Sequence, residues 1–194
     1  MESIDLSSLE VIAEQIKAGK CCKPSDDVKN PVPGEGNPKA EIMFIGEAPG
    51  LNEDLQGKPF VGNSGKFLTE MLGSVGLIRE DVFITNIVKC RPPENRDPFP
   101  EEIEACKPFL EGQIALIRPL LIVCLGRHSM NYFLPGFKIS EVHGRLKHSA
   151  NRYILPLYHP AAALHNGSLR QTLLDDFAKI PSALNKIKEI NKNS

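Results

Sequence analysis

Four residues that could do chemistry stand at the ends of apolar stretches or within glycine-rich turns. Glu47 lies between the glycines of GEAPG, Phe60 lies in GKPFVG, Asn86 closes the run ITN, and His159 opens HPAAAL. A turn with two glycines can present backbone amides to an anion or a carbonyl oxygen. An aromatic ring can stack on a planar ligand. These residues are therefore candidates for one binding site.

Asn86 and His159 have side chains suited to a planar heterocycle. An Asn amide has one acceptor and two donors, which match the N3–H and O4 of a lactam pyrimidine, whereas cytosine presents the reverse pattern at position 4. A His can donate a hydrogen bond to an oxygen that becomes negative in a transition state. Structural alternatives stay open: an ordinary turn for GEAPG, a core position for Phe60, and capping of nearby backbone for Asn86 and His159.

The elements that must position these residues are predicted from apolar patterning. Short, β-branched, almost wholly apolar segments predict strands buried on both faces at 41–46, 82–88, 120–126 and 152–158. Apolar stripes between them predict helices, so we expect a three-layer α/β/α sandwich with a central four-stranded, mainly parallel sheet. The loops at the carboxyl ends of parallel strands share one edge. We therefore expect GEAPGLNED, KCRPPENRDP, GRHSM and HPAAAL to build a single site.

Composition and length limit the class of protein. The 194 residues, 41% hydrophobic and 24% charged, predict a single domain over 1–194, and no apolar run is long enough for a membrane span. Within it, 1–40 is interpreted as an N-terminal helix and loop, the last helix as broken or kinked at Pro181, and 185–194 as a frayed tail. The net charge of −1 means that a polyanion must be held by a local patch. The acidic N-terminus favours a cytoplasmic location, where the five cysteines would be core residues, metal ligands or catalytic thiols.

The motifs together resemble those of one enzyme family. GEAPG, KPFVG, TNIVKCRPPENRDP with Cys106 downstream, and YHPAAAL followed by SLR are similar to the family 4 uracil-DNA glycosylases, which carry a 4Fe-4S cluster. The resemblance runs in matching order from about Val32 to Ile180. It implies a monomeric DNA repair hydrolase that flips uracil out of single- or double-stranded DNA and cleaves its N-glycosidic bond, leaving an abasic site. A sliding-clamp partner is left open.

The resemblance also implies roles for the residues in the first loops. Phe60 would stack on uracil, Asn86 would bind its edge, and His159 would stabilise the departing anion through O2. The uracil pocket would be lined by Gly46, Glu47 and Ala48, with Glu47 as a candidate for aiding the attacking water. In the related family 1 enzymes an aspartate occupies the position of Ala48, so catalysis here would depend on stabilising the leaving group.

Further residues are implied to contact DNA. Ala163 or Leu164 would replace the extruded nucleotide as a wedge. Arg170 and the helix N-termini near Ser64 and Ser129 are candidates for phosphate contacts. The segment 89–96 contains Lys89, Arg91 and Arg96 against Glu94 alone, which predicts a positive patch with Arg91 as a DNA contact.

The resemblance implies four cysteine ligands, and the sequence departs from the family pattern at one of them. Cys90 and Cys106 fit the second ligand pair, and Cys22 fits one member of the first, but its expected partner position holds Gly19. Three alternatives stay open. Cys21 takes the missing place beside Cys22, a nonprotein ligand or labile iron completes the site, or the cluster is lost. Cys124, inside a predicted strand, is interpreted as a core residue.

Two other classes of function remain possible on the sequence alone. The fold could serve a non-catalytic module that binds nucleic acid or nucleotides, although Asn86, Phe60 and His159 are all present. An iron-sulfur cluster could also serve electron transfer, but the sequence has no second redox motif. Excision of uracil from an oligonucleotide distinguishes the three.

Overall fold

A computed structural model describes residues 4–21, 28–164 and 166–193 of the chain. Its strands form one sheet in the spatial order β1-β3-β2-β4-β6-β5. The central four are parallel, and β1 and β5 add short antiparallel edges. The predicted four-stranded parallel core is confirmed, while the two polar edge strands carry no apolar run that would have predicted them. The strands are β1 Glu35–Gly36, β2 Ile42–Gly46, β3 Phe83–Asn86, β4 Leu121–Leu125, β5 Lys147–Ser149 and β6 Arg152–Leu157.

Helices cover both faces of the sheet. No helix among the described residues is both long enough and apolar enough to cross a membrane. Short 3₁₀ turns precede β3 at Arg79–Asp81 and follow it at Pro93–Asn95. The α-helices of the described residues are α1 Leu9–Lys17, α2 Leu51–Gln56, α3 Asn63–Ser74, α4 Pro100–Ile117, α5 Arg127–Phe133, α6 Ile139–Val142, α7 Pro160–Leu164, α8 Gly167–Phe177 and α9 Ile180–Lys192.

The core has one apolar layer on each face of the sheet. Successive residues of β2 alternate between them, so that Met43 and Ile45 pack with α1, α4 and α5, whereas Ile42 and Phe44 pack with α3, α8 and α9. Phe44 stacks on Phe177 of α8 at 5.6 Å between ring centroids. The three-layer sandwich predicted from the alternating pattern is therefore confirmed.

The C-terminal region departs from prediction in one respect. The break before Pro181 is confirmed, since α8 ends at Phe177 and α9 starts at Ile180 with the proline in its first turn. The segment 185–194 was expected to be the frayed end of a helix, and α9 does continue to Lys192, but it is packed rather than frayed at Ile187, which is fully buried. Ile180, Ala183 and Ile187 form a stripe at helical spacing that packs onto the core.

The end of α1 explains why a glycine occupies position 19. Gly19 has φ +76°, and its N–H donates to Ile16 O while the N–H of Lys20 donates to Gln15 O. These are the paired hydrogen bonds of a Schellman motif, which needs a left-handed residue after the helix. A cysteine at this position would strain the turn that ends α1.

Candidate active site

A cavity of about 470 Å³ opens at the carboxyl ends of β2 and β3. The first, second and fourth predicted loops and the glycine-rich loop before α3 all line it. The third loop supports it from behind, because a β-carbon on Gly126 would lie 3.1 Å from Cβ of His159. Residues on the lining include Glu47, Ala48, Phe60, Ser64, Asn86 and His159. The prediction that loops at one sheet edge form a single site is confirmed for this pocket.

The side chain of Asn86 is buried in the pocket wall. Asn86 is 1% exposed, and no described residue donates a hydrogen bond to Oδ1. Gly46 lies beside it, and any side chain there would collide with Asn86 Oδ1 and would approach Phe60 Cζ to 2.6 Å. An unsatisfied buried acceptor costs about 1–3 kcal/mol. Asn86 Oδ1 is thus an acceptor placed in the pocket wall and available to a ligand donor.

Phe60 is held at the pocket in a strained backbone conformation. Its φ is +51°, which is uncommon for a bulky residue and costs about 1–3 kcal/mol. Arg79 stabilises the turn by donating to the carbonyls of Pro59 at 2.7 Å and Phe60 at 3.1 Å, and it also pairs with Glu35 at 2.7 Å. The Phe60 ring lies 5.7 Å from the His159 ring. Strain at a ligand-facing aromatic favours a functional position over a simple core one.

His159 is fixed as a neutral donor. Its Nδ1 accepts a hydrogen bond from the N–H of Ala161 at 3.1 Å, so the ring proton of the neutral form is on Nε2. Burial lowers the pKa of His159 to about 4, against an opposing effect of the negative charge of Glu53. The imidazole is therefore uncharged at neutral pH, and its Nε2–H is available for a hydrogen bond.

Glu53 organises two of the site loops, and the sequence analysis gave it no role. Its carboxylate accepts from the N–H of Gly50 at 3.1 Å and from those of Val61 and Gly62 at 2.8 Å each. The spacing of three residues from Gly50 to Glu53 is that of a capping box, which was the available signal. The neighbouring Asp54, 1% exposed, accepts from the N–H of Lys29 at 3.0 Å and joins the N-terminal loop to α2.

Glu47 lies at the pocket rim within a charged cluster. Its Oε2 is 3.7 Å from Nε2 of His128, which in turn lies 3.2 Å from Asp97. Arg127 donates to Asp97 at 2.7 Å and to the His128 ring at 2.9 Å. Burial is the main cause that raises the pKa of Glu47, and the nearby His128 opposes it. Glu47 is thus a partly buried carboxyl group with a proton affinity above the usual range.

The two wedge candidates differ in exposure, and so do the two serine candidates for phosphate contact. Leu164 is 41% exposed whereas Ala163 is 3% exposed, so Leu164 is the side chain at the surface of α7. Ser64 lines the pocket at the start of α3. Ser129 is fully buried and donates to Gly126 O at 3.2 Å, so its side chain cannot reach a phosphate.

The predicted positive patch at 89–96 is wrong for Lys89, whereas Arg91 and Arg96 stay partly exposed. Lys89 is fully buried, and burial lowers its pKa to about 8. Arg96 makes a two-point ion pair with Glu102 at 2.7 and 2.8 Å. Arg91 stays partly exposed and donates to Asn95 at 2.8 Å. Arg170 lies over the Phe67 ring and pairs with Glu70 at 2.7 Å.

Three predicted cluster ligands lie in buried positions on separate segments, and Cys22 is outside the described residues. Cys21 follows α1, Cys90 follows β3, and Cys106 is in α4, with exposures of 1%, 8% and 1%. The Cys106 thiol lies 3.5 Å from Cys21 O and accepts the N–H of Lys89 at 3.3 Å. A hydrogen bond from the Cys21 thiol is the main cause that lowers the pKa of Cys106. Cys124 is fully buried in β4, as predicted for a core residue.

Comparisons with known proteins agree on one family. The family model described as the uracil DNA glycosylase superfamily matches residues 33–184. A type-4 uracil-DNA glycosylase from Saccharolobus solfataricus is 51% identical over 190 residues, covering 92% of this chain and 88% of the relative. One from Sulfurisphaera tokodaii is 52% identical, covering 90% and 84%. One from Thermotoga maritima is 43% identical, covering 92% and 95%.

Proposed function

The chain belongs to the uracil-DNA glycosylase superfamily, and from this membership and the pocket geometry we propose that it is a DNA repair hydrolase excising uracil from DNA. The observation that carries the proposal is the buried Oδ1 of Asn86, which has no partner among the described residues. Uracil keeps a proton on N3, so it supplies the missing donor. Cytosine has an acceptor at N3 and would leave Asn86 Oδ1 facing another acceptor.

Each pocket residue makes a different contact with an extruded base. Phe60 offers its ring face, Ala48 lines the pocket with a small side chain, and Gly46 leaves room for the Asn86 amide and the Phe60 ring. Asn86 Oδ1 accepts from N3–H and the amide N–H₂ donates to O4. Because uracil inside a duplex is not accessible, DNA binding must extrude the nucleotide at a cost of a few kcal/mol. We propose Leu164 as the wedge, with Ser64, Arg91 and Arg170 contacting phosphates, the last by exchanging its pairing with Glu70.

Bond cleavage relies on stabilising the leaving group. The C1′–N1 bond breaks, its electron pair goes to uracil, and negative charge develops on O2. The neutral His159 donates its Nε2–H to this oxygen, since Ala161 holds the opposite ring nitrogen. The oxygen of water then bonds to C1′ and releases a proton, and the uracil anion takes up a proton. No side chain needs to donate a proton to the base before the bond breaks.

Glu47 is proposed to assist the water. Its carboxyl group lines the pocket, and its raised pKa makes it a better base than an exposed glutamate. Replacing Glu47 by Gln is expected to slow single-turnover excision about tenfold to 100-fold. Asn63, an exposed residue of the same pocket lining, provides the control as Asn63→Ala. An unchanged rate in Glu47→Gln would remove the carboxylate from the mechanism.

The same assay separates the proposed function from the two alternatives. A uracil-containing oligonucleotide is incubated with the protein and treated with alkali, which cuts the strand at an abasic site. Scission at uracil, and none in a matched oligonucleotide with cytosine, is the expected result. A protein that binds the oligonucleotide without scission is a binding module, and one that does neither but exchanges electrons belongs to the third class.

We further propose that Cys21, Cys90 and Cys106 belong to the ligand set of a 4Fe-4S cluster. Their burial, their origin in three segments and the N–H of Lys89 on the Cys106 sulfur are all suited to such a site. Cys90 is disulfide-bonded in the structure and would bind iron as the reduced thiolate. Bound there, a cluster would cross-link these segments. The hydrogen bond between the Cys21 and Cys106 side chains supports the alternative in which Cys21 takes the place that Gly19 leaves empty. A cytoplasmic location and a monomeric state stay predictions.

Removing one ligand tests the cluster. Cys106→Ala is expected to lose iron, sulfide and the absorbance near about 400 nm, and to unfold at a lower temperature. Cys21→Ala should behave in the same way if Cys21 is a ligand, while Cys124→Ala, in the core, should keep its iron. Wild-type protein that contains no iron after anaerobic purification but excises uracil at full rate would contradict the cluster.

A further inference from the structure

We propose that Lys89 is a positioning residue for the pocket, whose buried ammonium group holds the main chain of Asn86 where the Asn86 amide contacts uracil. The inference rests on the proposed function, because it concerns how the uracil-binding amide is held. The comparisons and the sequence motifs give this lysine no role in the pocket, and the sequence analysis placed it in a DNA-binding patch.

The ammonium group of Lys89 is bound on all three of its N–H groups. Lys89 is fully buried, and Nζ donates to Thr85 Oγ1 at 2.6 Å, to the main-chain carbonyl of Asn86 at 2.8 Å and to Gln113 Oε1 at 2.8 Å. A Lys ammonium has three donors, so these contacts use its full capacity. Because all three acceptors are neutral, the group is not one half of an ion pair with any of them.

The carbonyl of Asn86 lies beyond the residues at which β1 and β3 pair. The strand β1 pairs with β3 at Glu35–Gly36. In the segment before β1, the N–H of Val32 donates to the carbonyl of Lys89, and the adjacent Pro33 has no N–H to donate. The donor that the structure gives the Asn86 carbonyl is the ammonium group of Lys89.

The lysine is itself held in place by a closed network. Thr85 Oγ1 and Gln113 Nε2 both donate to the carbonyl of Pro33, at 2.9 and 2.8 Å. The carbonyl of Lys89 accepts from the N–H of Val32 at 2.7 Å. Thr85 and Gln113 therefore each bind both the Lys89 ammonium group and the Pro33 carbonyl, and so connect β3 and α4 to the segment before β1.

A charge at this position is not explained by packing alone. Burying an ammonium group is costly, and an apolar side chain of similar length would fill the space without that cost. What an apolar side chain cannot do is satisfy the carbonyl at the end of β3. Asn86 is also 1% exposed, so movement of its main chain would displace the side-chain amide directly from the pocket wall.

A double-mutant cycle tests the proposal by single-turnover excision of uracil from a U·G duplex. Lys89→Met is expected to slow excision about tenfold to 100-fold in the wild-type background. In an Asn86→Ala background the same change should slow it by less than about threefold, because the group that Lys89 positions is already absent. The control Lys186→Met makes the same change at an exposed lysine of α9, and it should stay within about threefold of wild type.

Specific results would contradict the positioning role of Lys89. Three results would each overturn the positioning role: a loss from Lys89→Met that persists in full in the Asn86→Ala background, a comparable loss in Lys186→Met, or a loss of iron that parallels the loss of rate. If Lys89→Met does not fold, Lys89→Gln, which removes the charge and keeps a polar end, is taken through the same cycle with the same criteria. Wild-type activity on the duplex tests the proposed function separately.

Discussion

Asn86→Asp is expected to slow single-turnover uracil excision about 10³-fold, the largest effect of any single change in the pocket. The substitution keeps the shape of the side chain but replaces the donating N–H₂ with an oxygen, so O4 of uracil would face an acceptor. A carboxylate would also repel the uracil anion as the glycosidic bond breaks. Because Asn86 is 1% exposed, water cannot compensate for either effect.

A second asparagine of the same pocket provides the control for this change. Asn52 lines the cavity but is exposed, so Asn52→Asp adds a similar charge without contacting the base, and its rate should stay within about threefold of wild type. Thermal unfolding of both variants checks that the fold is kept. An Asn86→Asp rate close to that of Asn52→Asp would show that the amide does not bind uracil.

His159→Ala is expected to slow excision about 10²-fold to 10³-fold, because it removes the donor that stabilises negative charge on O2. His148, an exposed residue of β5, provides the matched control, and His148→Ala should leave the rate unchanged. A rate for His159→Ala within about threefold of wild type would show that leaving-group stabilisation comes from elsewhere.

The pH dependence distinguishes a neutral from a charged His159. With its pKa lowered to about 4, the imidazole stays neutral at higher pH, so the ratio of wild-type to His159→Ala rates should be constant from about pH 5.5 to about pH 8. As pH falls from 6.5 to about 4, the unfolded chain takes up the proton first. The contribution of His159 to stability is therefore present above this range and lost within it. A ratio that changes near pH 6.5 would indicate a charged imidazole in the reaction.

The parallel sheet and the convergence of the loops could be predicted from the sequence because both follow from local patterns. Strands such as 42–46 are short and apolar, and their alternation with helical stripes leaves few topologies. The edge strand at Glu35–Gly36 could not be predicted in this way, since two polar residues carry no periodicity. The packing of α9 on the core was missed because its lysine-rich surface obscured a stripe of three apolar residues.

The supporting contacts of the site were less accessible to sequence reasoning. Lys89 was assigned to the surface because lysines are rarely buried, and only the fold shows three acceptors around it. Arg79 acts across 19 residues of sequence on the carbonyl of Phe60, a separation that local patterns do not encode. Glu53 was the exception, since its capping-box spacing from Gly50 is local. The residues proposed to contact uracil lie in recognisable sequence motifs, whereas Lys89 and Arg79, which hold those residues in place, could not be identified from the sequence.

The most direct test of the account is a crystal structure of the protein with uracil bound after excision. The account predicts the ring against Phe60, with N3 at hydrogen-bonding distance, about 2.7–3.2 Å, from Asn86 Oδ1 and with O2 in reach of His159 Nε2. The buried Asn86 Oδ1, which has no donor among the described residues, would then accept a hydrogen bond from uracil. Uracil bound elsewhere, or bound in this cavity with N3 turned away from Asn86, would contradict the central claim that Asn86 recognises the base.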